Sequence, residues 1–185
     1  MDSFAIATRA RSVFRAMQDE TELAELLDLL HDEVKPKTIV EIGCAFGGSL
    51  YAWSELPSVE RVIGLTLPER KYDGRLKNHG AEIIYGDSTD LETQSKLVAA
   101  LGDTIPDFFF IDGDHRTVYA KSDLIFACSV MDYQGLIGIH DINLYQYHPE
   151  DGAVQDLWSE VKTLFPTTEI ANVVGEDPGI GLVWL

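Results

Sequence analysis

Cysteine is scarce. The 185-residue chain has two, Cys44 and Cys128, too few for a disulfide framework. Basic residues are outnumbered as well. Fourteen Lys and Arg face 31 Asp and Glu, which leaves a formal net charge of −17. A field of that sign repels phosphate backbones and anionic headgroups, so nucleic acid and membrane surfaces are disfavoured as partners. The stretch from Arg61 to Lys77 mixes Arg70, Lys71, Arg75 and Lys77 with Glu69 and Asp73, and makes no basic patch. No apolar run reaches the ~18 residues of a membrane span. The first residues (Met1 to Ile6) lack a basic segment leading into an apolar one, so no signal peptide is visible. These absences point to a reduced, cytoplasmic setting. Internal linkers, repeats and low-complexity segments are also missing. What remains is ordinary for a globular domain: 45% hydrophobic and 24% charged residues, on a chain long enough to bury a core unaided.

The first 35 residues read as helix. Phe4, Ala7, Val13, Phe14 and Met17 recur at roughly helical spacing, and Leu23, Leu26, Leu27 and Leu30 do so more strongly. With Thr21, the acids Glu22, Glu25 and Asp28 put negative charge toward the start of the second helix, and Pro36 ends it. The period then changes. Short apolar runs at 38–42, 61–65, 82–85, 106–111 and 135–139 read as strands. Helical patterns fill 48–55, 91–101, 118–131 and 154–164. Strands alternating with helices mean βαβ units and a parallel sheet covered on both faces. Two late strand candidates, 169–174 and 181–184, are separated by a tight loop, so the last strand should run antiparallel. The expectation is an α/β chain: a helical extension over 1–35, then one doubly wound, Rossmann-like domain over 36–185.

In open α/β sheets the ligand sits beyond the carboxyl ends of the strands. The first such end reads Glu41-Ile42-Gly43-Cys44-Ala45-Phe46-Gly47-Gly48-Ser49. Small residues let the backbone approach a ligand closely. Ala45 stands where a dinucleotide loop needs its second glycine, so the spacing is not that of a pyrophosphate cradle. The third end is Gly86-Asp87-Ser88, which could contact a ligand or cap the following helix. The fourth reads Ile111-Asp112-Gly113-Asp114-His115, followed by Tyr119 and Lys121-Ser122-Asp123-Leu124. The fifth, after Gly135, reads Ile139-His140-Asp141-Ile142, and the tail closes on Gly179-Ile180-Gly181.

Taken in order, these five elements resemble the class I S-adenosylmethionine-dependent methyltransferases. The likeness is to the small-molecule subgroup of sugar and macrolide O-methyltransferases and cephalosporin-hydroxylase-like proteins, and it covers about residues 37–185. It implies a seven-stranded, mostly parallel sheet with the last strand antiparallel, and S-adenosylmethionine as cofactor. Glu41, Gly43, Cys44, Ala45, Gly47 and Ser49 would meet its methionine part, Thr66 and Glu69 its ribose, Asp87 and Ser88 its adenine, with Asp112 and Gly113 beside them. Thr66 stands where the family carries an acid for both ribose hydroxyls, which a single hydroxyl cannot replace; Glu69 would have to reach in. Relatives often hold Mg²⁺ through acids after the fourth and fifth strands, here Asp112 and Asp141. His140 occupies the place of a second acid, and imidazole suits that hard cation poorly; Asn143 offers a nearby carbonyl.

The implied reaction is methyl transfer to a hydroxyl of a small sugar-like or hydroxylated metabolite. Such a hydroxyl needs a base or a metal to lose its proton. His115 and His140 are candidate bases, with Asp141 to orient one of them. A methyltransferase fold that binds without turnover, or a nucleotide-dependent oxidoreductase, are the rival readings. Tyr145, Tyr147 and His148 are candidates to stack on the acceptor. The apolar N-terminal helix offers a surface for a homodimer. Cys44 and Cys128 read as small apolar fillers. Gly43→Val is expected to abolish cofactor binding and leave the fold intact.

Overall fold

Near-continuous apolar strands fold here into one twisted sheet with helices on both faces. The computed structural model describes residues 1–69, 80–143, 152–170 and 178–185. Among these residues seven strands, β1 (Thr38–Ile42), β2 (Arg61–Thr66), β3 (Glu82–Tyr85), β4 (Phe108–Ile111), β5 (Leu136–His140), β6 (Thr167–Ile170) and β7 (Ile180–Trp184), lie in the order β3-β2-β1-β4-β5-β7-β6. The first five pair in parallel, and β7 runs antiparallel to both β5 and β6. A dinucleotide-binding sheet would instead place a parallel sixth strand beside the fifth. The strand expected over 169–174 starts two residues earlier, at Thr167, and the rest of that range lies outside the described residues.

Among the described residues six α-helices flank the sheet: α1 (Ser3–Phe14), α2 (Glu20–Leu29), α3 (Gly48–Ser54), α4 (Leu91–Leu101), α5 (Thr117–Val130) and α6 (Val154–Leu164). Side-chain alternation divides the core into two layers. Phe108 and Phe110 face α1, α2 and α3, where Trp53 meets both rings edge-on at 5.8 and 5.4 Å. Phe109 and Ile111 face the opposite layer with Leu97, Leu124 and Trp158. Each buried aromatic contributes on the order of 2–3 kcal/mol by leaving water.

The N-terminal helices are built differently from their apolar pattern. α1 buries Ser3, Ala7, Ala10 and Phe14 and leaves Phe4 at 56% exposure, while Met17, beyond its end, is 71% exposed. Small Ala7 and Ala10 permit the close approach to α2 and α3 that Phe4 and Val13 would prevent. Asp2 caps α1, and Asp19 caps α2 by accepting from the amides of Thr21 and Glu22 at 2.8 and 3.3 Å. Between them Arg15 turns left-handed (φ 66°) and ends α1. A π-helical turn, Leu30–Val34, prolongs α2 up to Lys35. The short connector 15–19 is thereby laid across the start of α3. Among the described residues, no helix is long and apolar enough to cross a membrane.

Candidate active site

The carboxyl ends of β1 to β5 converge on one cleft of about 620 Å³, a volume that suits a cofactor-sized ligand. Residues 43–46, 48–49, 65–67, 86–89, 112–116, 140–141 and 15–18 line it. The floor is held by backbone. Asp112 donates its amide to Ile42 O at 2.9 Å, and Gly43 donates to Leu65 O at 2.8 Å. Gly43 is left-handed (φ +92°), and a Cβ there would lie 1.8 Å from the carbonyl oxygen of Asp112. This overturns the expectation that Gly43→Val spares the fold. The clash is with backbone, and the dihedral is one that L-residues resist. Gly43→Val is expected to lose about 3 kcal/mol or more from overpacking and strain together. A thermal melt checks this, and an unaltered midpoint would contradict the close approach.

The expected cofactor contacts divide into those that reach the cleft and those that do not. Glu41 does not: it is fully buried beneath the loop, where Ser49 Oγ and Trp53 Nε1 donate to its two oxygens. Strand alternation turns it toward α3, away from any ligand. Burial pushes its carboxyl up to about 8, against the pull of the Ser49 hydrogen bond. Ser49 lines the cleft, but its hydroxyl is committed to Glu41. Gly43, Cys44 and Ala45 present the loop backbone, and Gly47 precedes α3. The Cys44 thiol packs over Gly64, and burial raises its pKa well above the usual range, as befits a filler. Thr66 lines the cleft, whereas Glu69 is exposed and does not. Asn143 lies against Gly179 rather than at the cleft. Asp87 and Ser88 both line the opposite end. Asp87 accepts from the amide and hydroxyl of Thr89 at 2.9 and 2.7 Å, while Asp90 takes the N-cap position of α4. The capping alternative for Asp87 therefore fails. Tyr145, Tyr147 and His148 lie outside the described residues, as do Arg70, Lys71, Arg75 and Lys77.

Beyond β4 and β5 the acids and histidines form one cluster. His140 Nδ1 lies 3.1 Å from Asp112 Oδ1 and 3.2 Å from Asp141 Oδ2. His115 Nε2 lies 2.9 Å from the same Asp141 oxygen. Burial alone would raise the Asp141 carboxyl. The hydrogen bonds and charges of His115 and His140 outweigh it and hold the group well below the carboxylate range. His115 is raised, chiefly by its hydrogen bond to Asp141, against the opposite effect of burial. Burial pushes His140 down, but Asp112 and Asp141 together lift it well above its ordinary value. The two histidines differ in access. The His115 side chain is 36% exposed at the rim, and that of His140 is 5% exposed on the floor. Of the two expected bases, only His115 is open to an acceptor. Asp112, His115 and Asp141 also bring ligand atoms within 4.8 Å of one another, the reach of one cation. The two carboxylates suit Mg²⁺ and the imidazole does not.

Two side chains escaped the sequence reading. Gln18, from the connector, donates from Nε2 to Asp112 Oδ2 at 2.5 Å. Nothing in the chain order links residues 94 positions apart. Asp123 on α5 is 1% exposed, with Oδ2 against Gly113. Burial pushes its carboxyl up to about 6, and the Ser88 hydroxyl pulls the other way. Its signal was the Lys121-Ser122-Asp123-Leu124 run, which carried no role.

No family model and no curated protein matches the sequence. Solved structures do match. The O-methyltransferase TomG of Streptomyces achromogenes, involved in tomaymycin synthesis and solved with SAM, has TM-score 0.70 and 18% identity, over 100% of this chain and 90% of that one. This chain has the methyltransferase fold. An O-methyltransferase from Bacillus cereus in complex with SAH has TM-score 0.68 and 16% identity, over 100% of this chain and 91% of that one. MycE of the mycinamycin pathway, solved with Mg, SAH and mycinamycin VI, has TM-score 0.69 and 17% identity. This chain spans about half of MycE, covering 53% of it. The methyltransferase fold accounts for the antiparallel β7 between β5 and β6, which a dinucleotide-binding sheet lacks.

Proposed function

We propose that the protein transfers a methyl group from S-adenosylmethionine to a hydroxyl of a small sugar-like or hydroxylated metabolite. One observation carries this reading. The cleft of the methyltransferase fold has a carboxylate–imidazole cluster on its wall, directly beside the loop that would meet the methyl donor. We assign the methionine part to the loop 43–47 and Asp112, the ribose to Thr66, and the adenine to Asp87, Ser88 and Gly113. With Glu69 outside the cleft, Thr66 offers the ribose one hydroxyl in place of a bidentate acid, so donor affinity is modest. An acidic surface disfavours polyanionic acceptors and membranes.

In the transfer, the acceptor oxygen attacks the methyl carbon in line with the breaking C–S bond. The C–O bond forms, the sulfonium takes the electron pair and becomes a thioether, and His115 takes the hydroxyl proton. Asp141 orients that imidazole and stabilises its charged form. His140 holds Asp112 and Asp141 together from below as a buried cation, a positioning role rather than that of a base. A Mg²⁺ ion would be held by Asp112 and Asp141, and there it would lower the pKa of the acceptor hydroxyl.

Titration calorimetry tests the donor. S-adenosylhomocysteine should bind and NAD should not; the reverse would overturn the reading. Turnover is read as release of S-adenosylhomocysteine from S-adenosylmethionine, with hydroxylated metabolites as acceptors. Because Asp141 raises His115, the rate should climb with pH through a pKa above 6.5 as the imidazole becomes free to accept a proton. His115→Gln should lose about 10²- to 10⁴-fold of the rate and keep S-adenosylhomocysteine affinity. A variant with full turnover would remove His115 from the mechanism, and cofactor binding with no acceptor turned over at all would favour a binding module.

A further inference from the structure

Gln18 is placed as a ligand-reading residue would be. The connector that carries it is pinned at three points. The Arg15 guanidinium stacks 3.8 Å over the Phe46 ring. The amide nitrogen of Ala16 lies 2.2 Å from where a Cβ on Gly48 would stand, so the segment rests on the bare glycine that starts α3. Arg11 Nη1 donates to the Gln18 carbonyl at 3.3 Å. The side chain is held in turn: Gln18 is 3% exposed, and Nε2 donates to Asp112 Oδ2 at 2.5 Å.

That bond settles which way the carboxamide faces. A carboxylate only accepts, so the NH₂ must turn to Asp112 and the carbonyl away from it. Gln18 Oε1 is then a buried acceptor with no hydrogen-bond partner among the described residues. Such groups are rare in folded proteins because leaving them unpaired is costly. Gln18 and Asp112 both line the cleft. Oε1, which is buried as the carboxamide stands, and the neighbouring carboxylate, whose Oδ1 also meets His140, therefore lie together at one end of it. They sit at the β1–β4 side, by Gly43, and the aromatic-base end by Asp87 is across the cleft.

We propose that Gln18 Oε1 and Asp112 together recognise the α-ammonium group at the amino-acid end of the methyl donor. The inference rests on the methyl-donor reading above. Of the parts of that ligand, the ammonium alone combines a positive charge with several donor hydrogens. The sulfonium has charge but no donor; the ribose has donors but no charge. The terminal torsion of a glutamine is broad, so Oε1 can swing toward the ammonium while Nε2 stays within reach of Asp112. The N-terminal connector thereby becomes part of the donor site, although it lies outside the sheet.

Gln18→Met keeps the length of the side chain and removes both polar atoms. Titration calorimetry would compare it with the wild type toward two probes: S-adenosylhomocysteine and its deamino analogue, which lacks only the α-amino group. The wild type should prefer S-adenosylhomocysteine. Gln18→Met should weaken that ligand by about 10- to 100-fold, the loss expected for a hydrogen bond to a charged group, and leave the deamino analogue unchanged. Equal weakening of both probes would mean that the variant merely disturbs the cleft, and would overturn the inference. So would unchanged affinity for both, or a wild type indifferent to the amino group. A wild type that binds neither probe would instead remove the methyl-donor reading on which the inference stands.

Discussion

Replacing Asp141 with asparagine is expected to cost the protein both stability and turnover. Asp141 is nearly buried and faces two imidazoles, His115 at 2.9 Å and His140 at 3.2 Å. Removing one partner of a buried ion pair typically costs about 3–5 kcal/mol, because the other charge is left uncompensated. For a chain of this length that lowers the melting temperature by roughly 6–20 °C. The pH dependence has two limbs. The Asp141 carboxyl is held below its ordinary value of 3.8, so its contribution is present above that pH and lost as pH falls. The histidines are raised above 6.5, so theirs is present below that pH and lost as pH rises through the folded values. The stability gap between wild type and Asp141→Asn is therefore widest between about pH 4 and 6.5. Urea midpoints measured at pH 5, 7 and 9 check it. A gap that stays constant across the three would show that the pairs do not carry the stability. The same variant should release S-adenosylhomocysteine at least ~10²-fold more slowly, since a base that is not oriented loses most of its effect.

Much of this architecture was legible in the chain, and the reasons are local. Thr38–Ile42 and Glu82–Tyr85 stand out because each is a short run rich in β-branched residues that ends at a glycine. The period of 154–164 marks α6 because Val154, Leu157, Trp158 and Val161 fall on one face. The acid and histidine positions after β4 and β5 were legible because each strand end is a place where the chain must turn toward the cleft. What stayed hidden depends on direction and on contact at a distance. Glu41 was expected at the ligand; its place in the alternation with Ile39 sends it to the α3 layer instead. Met17 kept helical spacing with the residues before it, yet the left-handed Arg15 had already ended α1. His115 and His140 looked equivalent, and only burial separates them. Gln18 meets Asp112 through the packing of Ala16 on Gly48, an event that no short motif records.

Glutamine at position 41 should stabilise the protein, and more so as pH rises. Among the described residues Glu41 has no cation in hydrogen-bond contact; its two partners there are the neutral donors of Ser49 and Trp53. Burial lifts its carboxyl from 4.5 to about 8, so at neutral pH the folded protein holds it mostly protonated. The unfolded chain ionises it near 4.5 and binds fewer protons between the two values. Stability therefore falls as pH climbs through that window and levels off above it. The full displacement corresponds to a loss on the order of 5 kcal/mol at ~1.4 kcal/mol per pH unit. Glutamine has the same shape and no charge to lose. Its carbonyl can accept from Trp53 Nε1, and its NH₂ can donate to a Ser49 hydroxyl turned to receive it. Glu41→Gln and wild type should then unfold at similar urea concentrations near pH 4.5 and diverge steadily toward pH 9, with the variant the more stable. Comparing the two proteins isolates this group, because the falling stability of the histidine cluster is common to both. Parallel profiles would mean that Glu41 is ionised in the folded state. In that case the loop over it rests on a buried charge, and Glu41→Gln should loosen S-adenosylhomocysteine binding instead of leaving it alone.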